Sequence, residues 1–289
     1  MTAVLQPAID HVVINVGDRL DEAAERYARL GFQLTERGHH SLGSSNNLAI
    51  FGTDYLELLG FEPGRAAARP ELLSMPAGLG GLVFKPSADA GFRDRVAAAG
   101  LPVQESREFV RPVALPDGTS PEAHFRVTHL GPEVTFGGRV FFCHHFTPEL
   151  VWRPEWQRHA NGVTGIAEFG IVSDDPARAV APYRALFGDE AVAPVAGGMA
   201  IRAAEGTVLV LLPEAARSHW GEALPTLPGK GERMVALGFR TGDQDEGRSG
   251  GLDATRATLQ AGGVPMLERP GRILVPAGEA CGVALAFLG

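Results

Sequence analysis

The chain has 289 residues, 45% of them hydrophobic and 21% charged, and a formal net charge of −8 with neutral histidines. That balance suits a globular protein of about two domains. It excludes a general binder of nucleic-acid backbones, which needs a clustered basic face. No apolar run reaches the ~18 residues that cross a bilayer, and the N-terminus lacks the basic, apolar and small-residue succession of a secretory signal. The two cysteines, Cys143 and Cys281, fall late in separate segments and make no disulfide framework. Reduced thiols in the cytoplasm are the expectation.

The first element is the apolar run Ile9-Asp10-His11-Val12-Val13-Ile14-Asn15-Val16, which reads as a strand. A helix is expected from Leu20 to Leu30. Gly31–Leu34, Asn47–Phe51 and Tyr55–Leu59 then read as three more strands, giving a βαβββ order. Two residues break the apolar pattern, His11 in the first strand and Glu57 in the last. An ionised carboxylate inside a strand of this kind is costly unless paired or metal-bound.

The order recurs, so the chain reads as four βαβββ modules. Leu82-Val83-Phe84-Lys85 leads into a helix ending at Ala98-Ala99-Gly100, and the second module closes with Arg139–His145. Leu115–Thr119 has turn chemistry. Thr147–Gln157, rich in proline and aromatics, is the link, and Trp152 and Trp156 are expected to staple it to a domain. Gly165–Val172 opens the third module, with a helix start at Asp175-Pro176. Gly206–Leu212 echoes Gly52–Leu59. Leu237–Arg240 and Gly282–Leu288 bound the fourth module, and Gly242–Gly247 reads as a solvated acidic loop. Two modules make a domain, so the expected domains are 1–155 and 156–289, of class α+β. No Gly-x-Gly-x-x-Gly and no Walker-type Gly-Lys-Ser/Thr is present.

Ile9-Asp10-His11-Val12-Val13, His40 with Gly43–Leu48, Tyr55-Leu56-Glu57 and above all Phe142-Cys143-His144-His145-Phe146-Thr147-Pro148-Glu149 resemble the vicinal oxygen chelate superfamily. That superfamily includes glyoxalases, extradiol dioxygenases and bleomycin-resistance proteins. The closer resemblance is to bacterial proteins with a glyoxalase-like domain. The motifs cover the first 155 residues, and the second half matches in module order.

The resemblance implies that paired modules form an open cup, with metal ligands from the first and last strand of each. Module one offers His11 and Glu57. Module two has Gly80 and Gly81 in its first strand, which leaves one place open, and Cys143, His144 or His145 in its last. Alternation puts Cys143 and His145 on one face and His144 on the other. The family's characteristic histidine precedes the x-Thr-Pro-Glu run, which selects His145. The implied set is a metal site of His11, Glu57 and His145, with Glu57 also catalytic and His40 and Asn46 contacting substrate. Two histidines and a carboxylate suit Fe²⁺, Zn²⁺ or Mn²⁺.

The implied function is a metal-dependent isomerase, lyase or dioxygenase acting on a small organic molecule that chelates through two oxygens. The competing reading is a metal-free protein that sequesters such a molecule. The implied partner is the small-molecule substrate, with no nucleic acid and no membrane, and a homodimer is the assembly admitted. In the second half, Glu168 takes the place of His11, and Val210 or Leu211 that of Glu57, so that cup is expected to be structural. His124 and His129 are expected on opposite faces of a strand, and His159 and His219 at the surface.

Overall fold

The computed structural model describes residues 5–65, 70–86, 91–135, 137–227, 231–242 and 251–289. The first strand, β1 (Ile9–Gly17), is buried along almost its whole length because both its faces are covered. Val12 and Ile14 point to one core, Val13 to another. α1 (Leu20–Arg29) comes next in the chain, burying Leu20, Ala23 and Tyr27 at helical spacing. It stops where Gly31 takes a left-handed φ of +88°.

The expected strand over Gly31–Leu34 does not form. Gln33 N–H donates to His159 Nδ1 at 3.0 Å, and Phe32 turns into an aromatic core beside Phe239, at 5.2 Å between centroids. The backbone there is satisfied by a side chain rather than a ladder. The second strand is the short β2 (Gly38–His39), succeeded by β3 (Ser45–Ile50) and β4 (Tyr55–Gly60). The second module supplies α2 (Pro70–Ser74), β5 (Gly78–Phe84), α3 (Phe92–Ala98), β6 (Arg107–Pro112), β7 (Glu122–His129) and β8 (Arg139–His145). The turn expected at Leu115–Thr119 is present, closed by Gly118 N–H on Leu115 O.

These strands form one eight-stranded sheet in the order β2-β3-β4-β1-β5-β8-β7-β6. Modules one and two therefore pair into a single cup, as expected. Its edges meet where Ser41 N–H donates to Val110 O at 3.0 Å.

The second half repeats the plan. It comprises β9 (Val163–Val172), α4 (Pro176–Ala179), α5 (Ala181–Phe187), β10 (Val192–Val195), β11 (Gly198–Ala203), β12 (Gly206–Leu211), α6 (Pro213–Trp220), β13 (Arg233–Thr241), α7 (Leu252–Ala261), β14 (Leu267–Arg269), β15 (Arg272–Val275) and β16 (Ala284–Leu288). Its sheet runs β10-β11-β12-β9-β13-β16-β15-β14. The fold is α+β with two glyoxalase-like domains, one sheet spanning residues 9–145 and the other 163–288. The loop read over Gly242–Gly247 lies, from residue 243 on, outside the described residues.

The helix start at Asp175-Pro176 is real. The Asp175 carboxylate accepts from Arg178 N–H at 3.1 Å, capping α4. Asp175→Ala is expected to destabilise the protein by ~1 kcal/mol, read as a lower urea midpoint at unchanged slope. An unmoved midpoint would mean the cap contributes nothing.

The outer faces of the two sheets share one core, in which Phe32, Phe84 and Phe142 meet Phe169, Phe239 and Phe287. His159 belongs to this junction. It is 4% exposed and its Nε2–H donates to Ile50 O at 2.9 Å, so the expectation of a surface histidine is corrected.

The second cup is filled. Trp220 of α6 is fully buried inside it, and a Cβ on Gly170 would stand 2.5 Å from its ring. Glu168 lies where His11 lies, since Glu168 pairs with Thr207 as His11 pairs with Tyr55. That register makes Leu209, rather than Val210 or Leu211, the counterpart of Glu57. Glu168 is engaged with His219 Nε2 at 3.0 Å and with Arg272 at 3.2 Å. Burial works to raise its carboxyl, and His219 and Arg272 outweigh that and hold it below the ordinary range. His219, expected at the surface, is half-buried and paired.

Candidate metal centre

The first cup encloses a cavity of about 700 Å³. His11, His40, Asn46, Glu57, Phe109, Arg111 and Cys143 are among its walls. His11 and Glu57 come together because β1 and β4 run parallel with His11 opposite Tyr55. His11 Nε2 then stands 3.8 Å from Glu57 Oε2. The His11 ring stacks on Tyr55 at 4.3 Å.

Strict alternation would turn Asp10 away from the cup. The pairing of β1 with β5 instead slips between Ile9 and His11, and Asp10 is the extra residue. Such a bulge puts two successive side chains on one side. Asp10 is 1% exposed, and its Oδ1 takes both His11 Nδ1, at 2.6 Å, and His145 Nε2, at 3.0 Å. Burial works to raise this carboxyl, but the charge of His145 and the bonds from both histidines hold it well below the usual carboxylate range.

His145 and Cys143 share a face of β8, while His144 lies against Phe146, at 4.7 Å between ring centroids. His145 does not itself line the cavity. It sits behind Tyr55 and Phe125, under Trp152, at 4.7 Å between the His145 and Trp152 rings. Trp152 thus pins the link over the site. His145 Nδ1 is buried without a hydrogen-bond partner.

Glu57 belongs to a second group. Asn46 Nδ2 donates to Glu57 Oε1 at 2.6 Å, and His40 Nε2 is 3.9 Å from the same oxygen. His40 Nδ1 in turn faces Ser44 Oγ at 2.8 Å. Burial pushes the Glu57 carboxyl up, and His40, His11 and Asn46 together bring it below its ordinary value. It is ionised at neutral pH. Burial, with Asp10 and Glu57 nearby, pushes the Cys143 thiol well up, so it is neutral.

The donors fit a divalent ion. The 3.8 Å between His11 Nε2 and Glu57 Oε2 is shorter than two metal–ligand bonds of about 2.0–2.2 Å end to end. Metal-bound histidines usually donate their other ring nitrogen to a carboxylate, as His11 does to Asp10. His145 does not join the His11–Glu57 pair: among the described residues, His11, Glu57 and His145 do not bring their ligand atoms within 4.8 Å of one another. Among the described residues, the set of three with all ligand atoms within 4.8 Å is Asp10, Cys143 and His145. The His11–Glu57 pair lies next to that set, linked to it through Asp10.

Two further expectations meet the structure differently. His129 lines the cavity and His124 faces away, as expected. The room expected over Gly81 is instead occupied by Val13, whose Cβ would be 2.8 Å from an added Cβ. Asp10 and Arg111 were not singled out by sequence reading. For Asp10 the signal was an acid beside the histidine in an apolar run.

The sequence profile of the glyoxalase-like domain matches residues 9–187, more than half of the chain. This chain belongs to the glyoxalase-like domain family. No protein of curated function matches it in sequence. In fold, this glyoxalase-like protein is similar to a hypothetical protein from Staphylococcus aureus, at 10% identity over 97% of this chain and 98% of that one, with a TM-score of 0.62. It is similar also to a mutant of 4-hydroxymandelate synthase from Streptomyces coelicolor, at 14% identity over 92% and 78%, TM-score 0.54. A fusion of a xylose isomerase-like TIM barrel with 4-hydroxyphenylpyruvate dioxygenase matches at 15% identity over 92% and 40%, TM-score 0.51. At these identities the likeness is one of fold, that of the vicinal oxygen chelate proteins. No helix among the described residues is long and apolar enough to cross a membrane.

Proposed function

We propose that this glyoxalase-like protein is a metal-dependent enzyme acting on a small organic molecule in the first cup. His11 and Glu57 would hold a divalent ion, Fe²⁺, Zn²⁺ or Mn²⁺, with His145 tied to them through Asp10. The observation that carries the reading is the His11–Glu57 pair, 3.8 Å apart in a cavity wall, with His11 backed by a buried carboxylate. When bound, such an ion supplies Lewis-acid polarisation of two substrate oxygens, or oxygen activation if it is iron.

The chain's own groups do the rest. Asp10 fixes the ring orientation of His11 and His145 through one oxygen. Glu57 is the catalytic carboxylate. Its Oε1 is held by Asn46, which leaves Oε2 facing His11 and the ion. His40 and Asn46 contact the substrate beside it. Phe109, Phe125 and Phe141 keep water from that face. Isomerase, lyase and dioxygenase chemistry all begin from this arrangement. The two free thiols suit the cytoplasm.

Glu57→Ala is expected to leave the cup folded and strip the metal. The loss of stability should be limited to the binding linkage, roughly 3–4 kcal/mol at 100 to 1,000 times the dissociation constant. Metal analysis and denaturation of both proteins check this. If the wild type carries no metal after growth in supplemented medium, and the variant binds the same small molecule unchanged, a metal-free sequestering protein is the better account.

A further inference from the structure

Arg111 stands in β6 at the seam where the edges of the first sheet meet. It lines the cavity and is 4% exposed. Its guanidinium makes no hydrogen bond or ion pair with any described residue. Burial pulls its proton affinity down from the usual value, and the charge of Glu57 reaches it only through space. A buried cation left without a partner is strongly unfavourable, and a guanidinium cannot shed its charge as a lysine can.

Two more features converge on the same spot. Asn46 Oδ1 is buried with no hydrogen-bond partner. Gly38, across the seam, lets both side chains pack directly against its backbone and so sets them side by side. A Cβ there would stand 2.7 Å from Arg111 Nη1 and 2.6 Å from Asn46 Oδ1. The wall alongside is aromatic. Phe109 and Phe125 stack at 5.1 Å with 20° between their planes, and Phe109 also meets His40 edge-on at 5.1 Å.

We infer that Arg111 receives a carboxylate of the molecule bound in the cavity, and that this molecule is an organic acid with a flat apolar body. A carboxylate matches the planar fork of a guanidinium in two parallel bonds. The body would lie along Phe109 and Phe125, which places its other end towards His11 and Glu57. A donor on the ligand would satisfy Asn46 Oδ1. The inference rests on the reading of the cup as a substrate site, but not on the metal.

The test is calorimetric titration of the protein as purified, and again after chelator treatment, with benzoate and phenylacetate and with their neutral amides. Both acids are expected to bind about 10-fold or more tightly than their amides, which is at least one decade of affinity. Arg111→Met should bring each acid down to the level of its amide while leaving metal content unchanged. Because the guanidinium has no hydrogen bond or ion pair with the described residues, Arg111→Met should also melt higher, by roughly 2–4 °C. Arg111→Lys, a point charge without the fork, should recover part of the acid affinity. Equal binding of acid and amide, or no binding of either acid, overturns the inference. So does a lower melting temperature in Arg111→Met, which would make the arginine structural. Inorganic phosphate binding as tightly as the acids overturns it as well, since the aromatic wall would then contribute nothing. Loss of metal dependence alone leaves all these outcomes readable, because the titration is repeated on chelated protein.

Discussion

Asp10→Ala is expected to lower the stability of the folded protein by about 3–5 kcal/mol, the usual cost of removing one partner from a buried ionic group. The reason is that one carboxylate serves two imidazoles. Its Oδ1 accepts from His11 Nδ1 at 2.6 Å and takes His145 Nε2 at 3.0 Å, and all three side chains are nearly shut off from water. Alanine leaves two ring nitrogens buried with nothing to bond. Asp10→Asn keeps the shape and the shared acceptor oxygen but removes the negative charge that both rings face. Its expected cost is roughly 1–3 kcal/mol. Urea unfolding of both variants reads the two values. The metal readout should move too, because losing the outer partner of a ligating histidine typically weakens metal binding about 10–100-fold. A cost under ~1 kcal/mol for alanine, the size of an exposed ion pair, would mean that Asp10 is not the group that holds the two rings.

Asp10 also shows where sequence reading runs out. The alternation of Val12, Val13 and Ile14 between two cores was visible as an apolar run, and it fixed the strand. The one-residue slip at Asp10 was not visible, because a bulge depends on how β1 meets β5, and Val83 and Phe84 opposite it carry no mark of it. Module order was legible because the βαβββ pattern repeats, and the pairing of modules one and two came from it. The strand expected at Gly31–Leu34 failed for a tertiary reason. Its backbone is satisfied by His159, which is 126 residues away. The same contact explains why His159 is buried rather than at the surface.

The second cup could be read as lacking ligands, but not as filled. What fills it is Trp220, set by α6, and its room comes from Gly170. Arg111 escaped notice because Arg-Glu-Phe-Val-Arg-Pro is an ordinary half-polar edge strand. The feature that matters there, a buried guanidinium without a partner among the described residues, exists only after the seam has closed.

The remaining large effect is one of pH, at the junction between the two domains. Asp54 sits in the turn between β3 and β4 and is 5% exposed. Its Oδ1 accepts from the backbone N–H of Ile166 at 3.1 Å. That N–H lies beside a slip in the pairing of β9 with β13, between Glu168 and Ile166, so the carboxylate stands in for a strand. Arg240 is 4.0 Å away and is itself engaged with Glu205 at 3.0 Å. Burial dominates, and against the bond from Ile166 and the charges of Arg240 and Lys85 it raises the Asp54 carboxyl to about 7. The sign comes from proton counts. Between the unfolded value near 3.8 and the folded value near 7, the folded protein holds a proton that the unfolded chain has released. Stability from this group is therefore complete below pH ~4 and is lost as pH rises towards ~7, at up to ~1.4 kcal/mol per pH unit. Asp54→Asn keeps an acceptor for Ile166 N–H and cannot ionise. Relative to the wild type, it should gain roughly 2–4 kcal/mol between pH 4 and pH 8, and be the more stable protein at pH 8. Urea midpoints for both proteins at each pH measure this, and titrations elsewhere in the chain cancel in the difference. A stability difference between the two that stays flat from pH 4 to pH 8 would show that Asp54 is ionised at the junction throughout, and that Arg240 is its true partner.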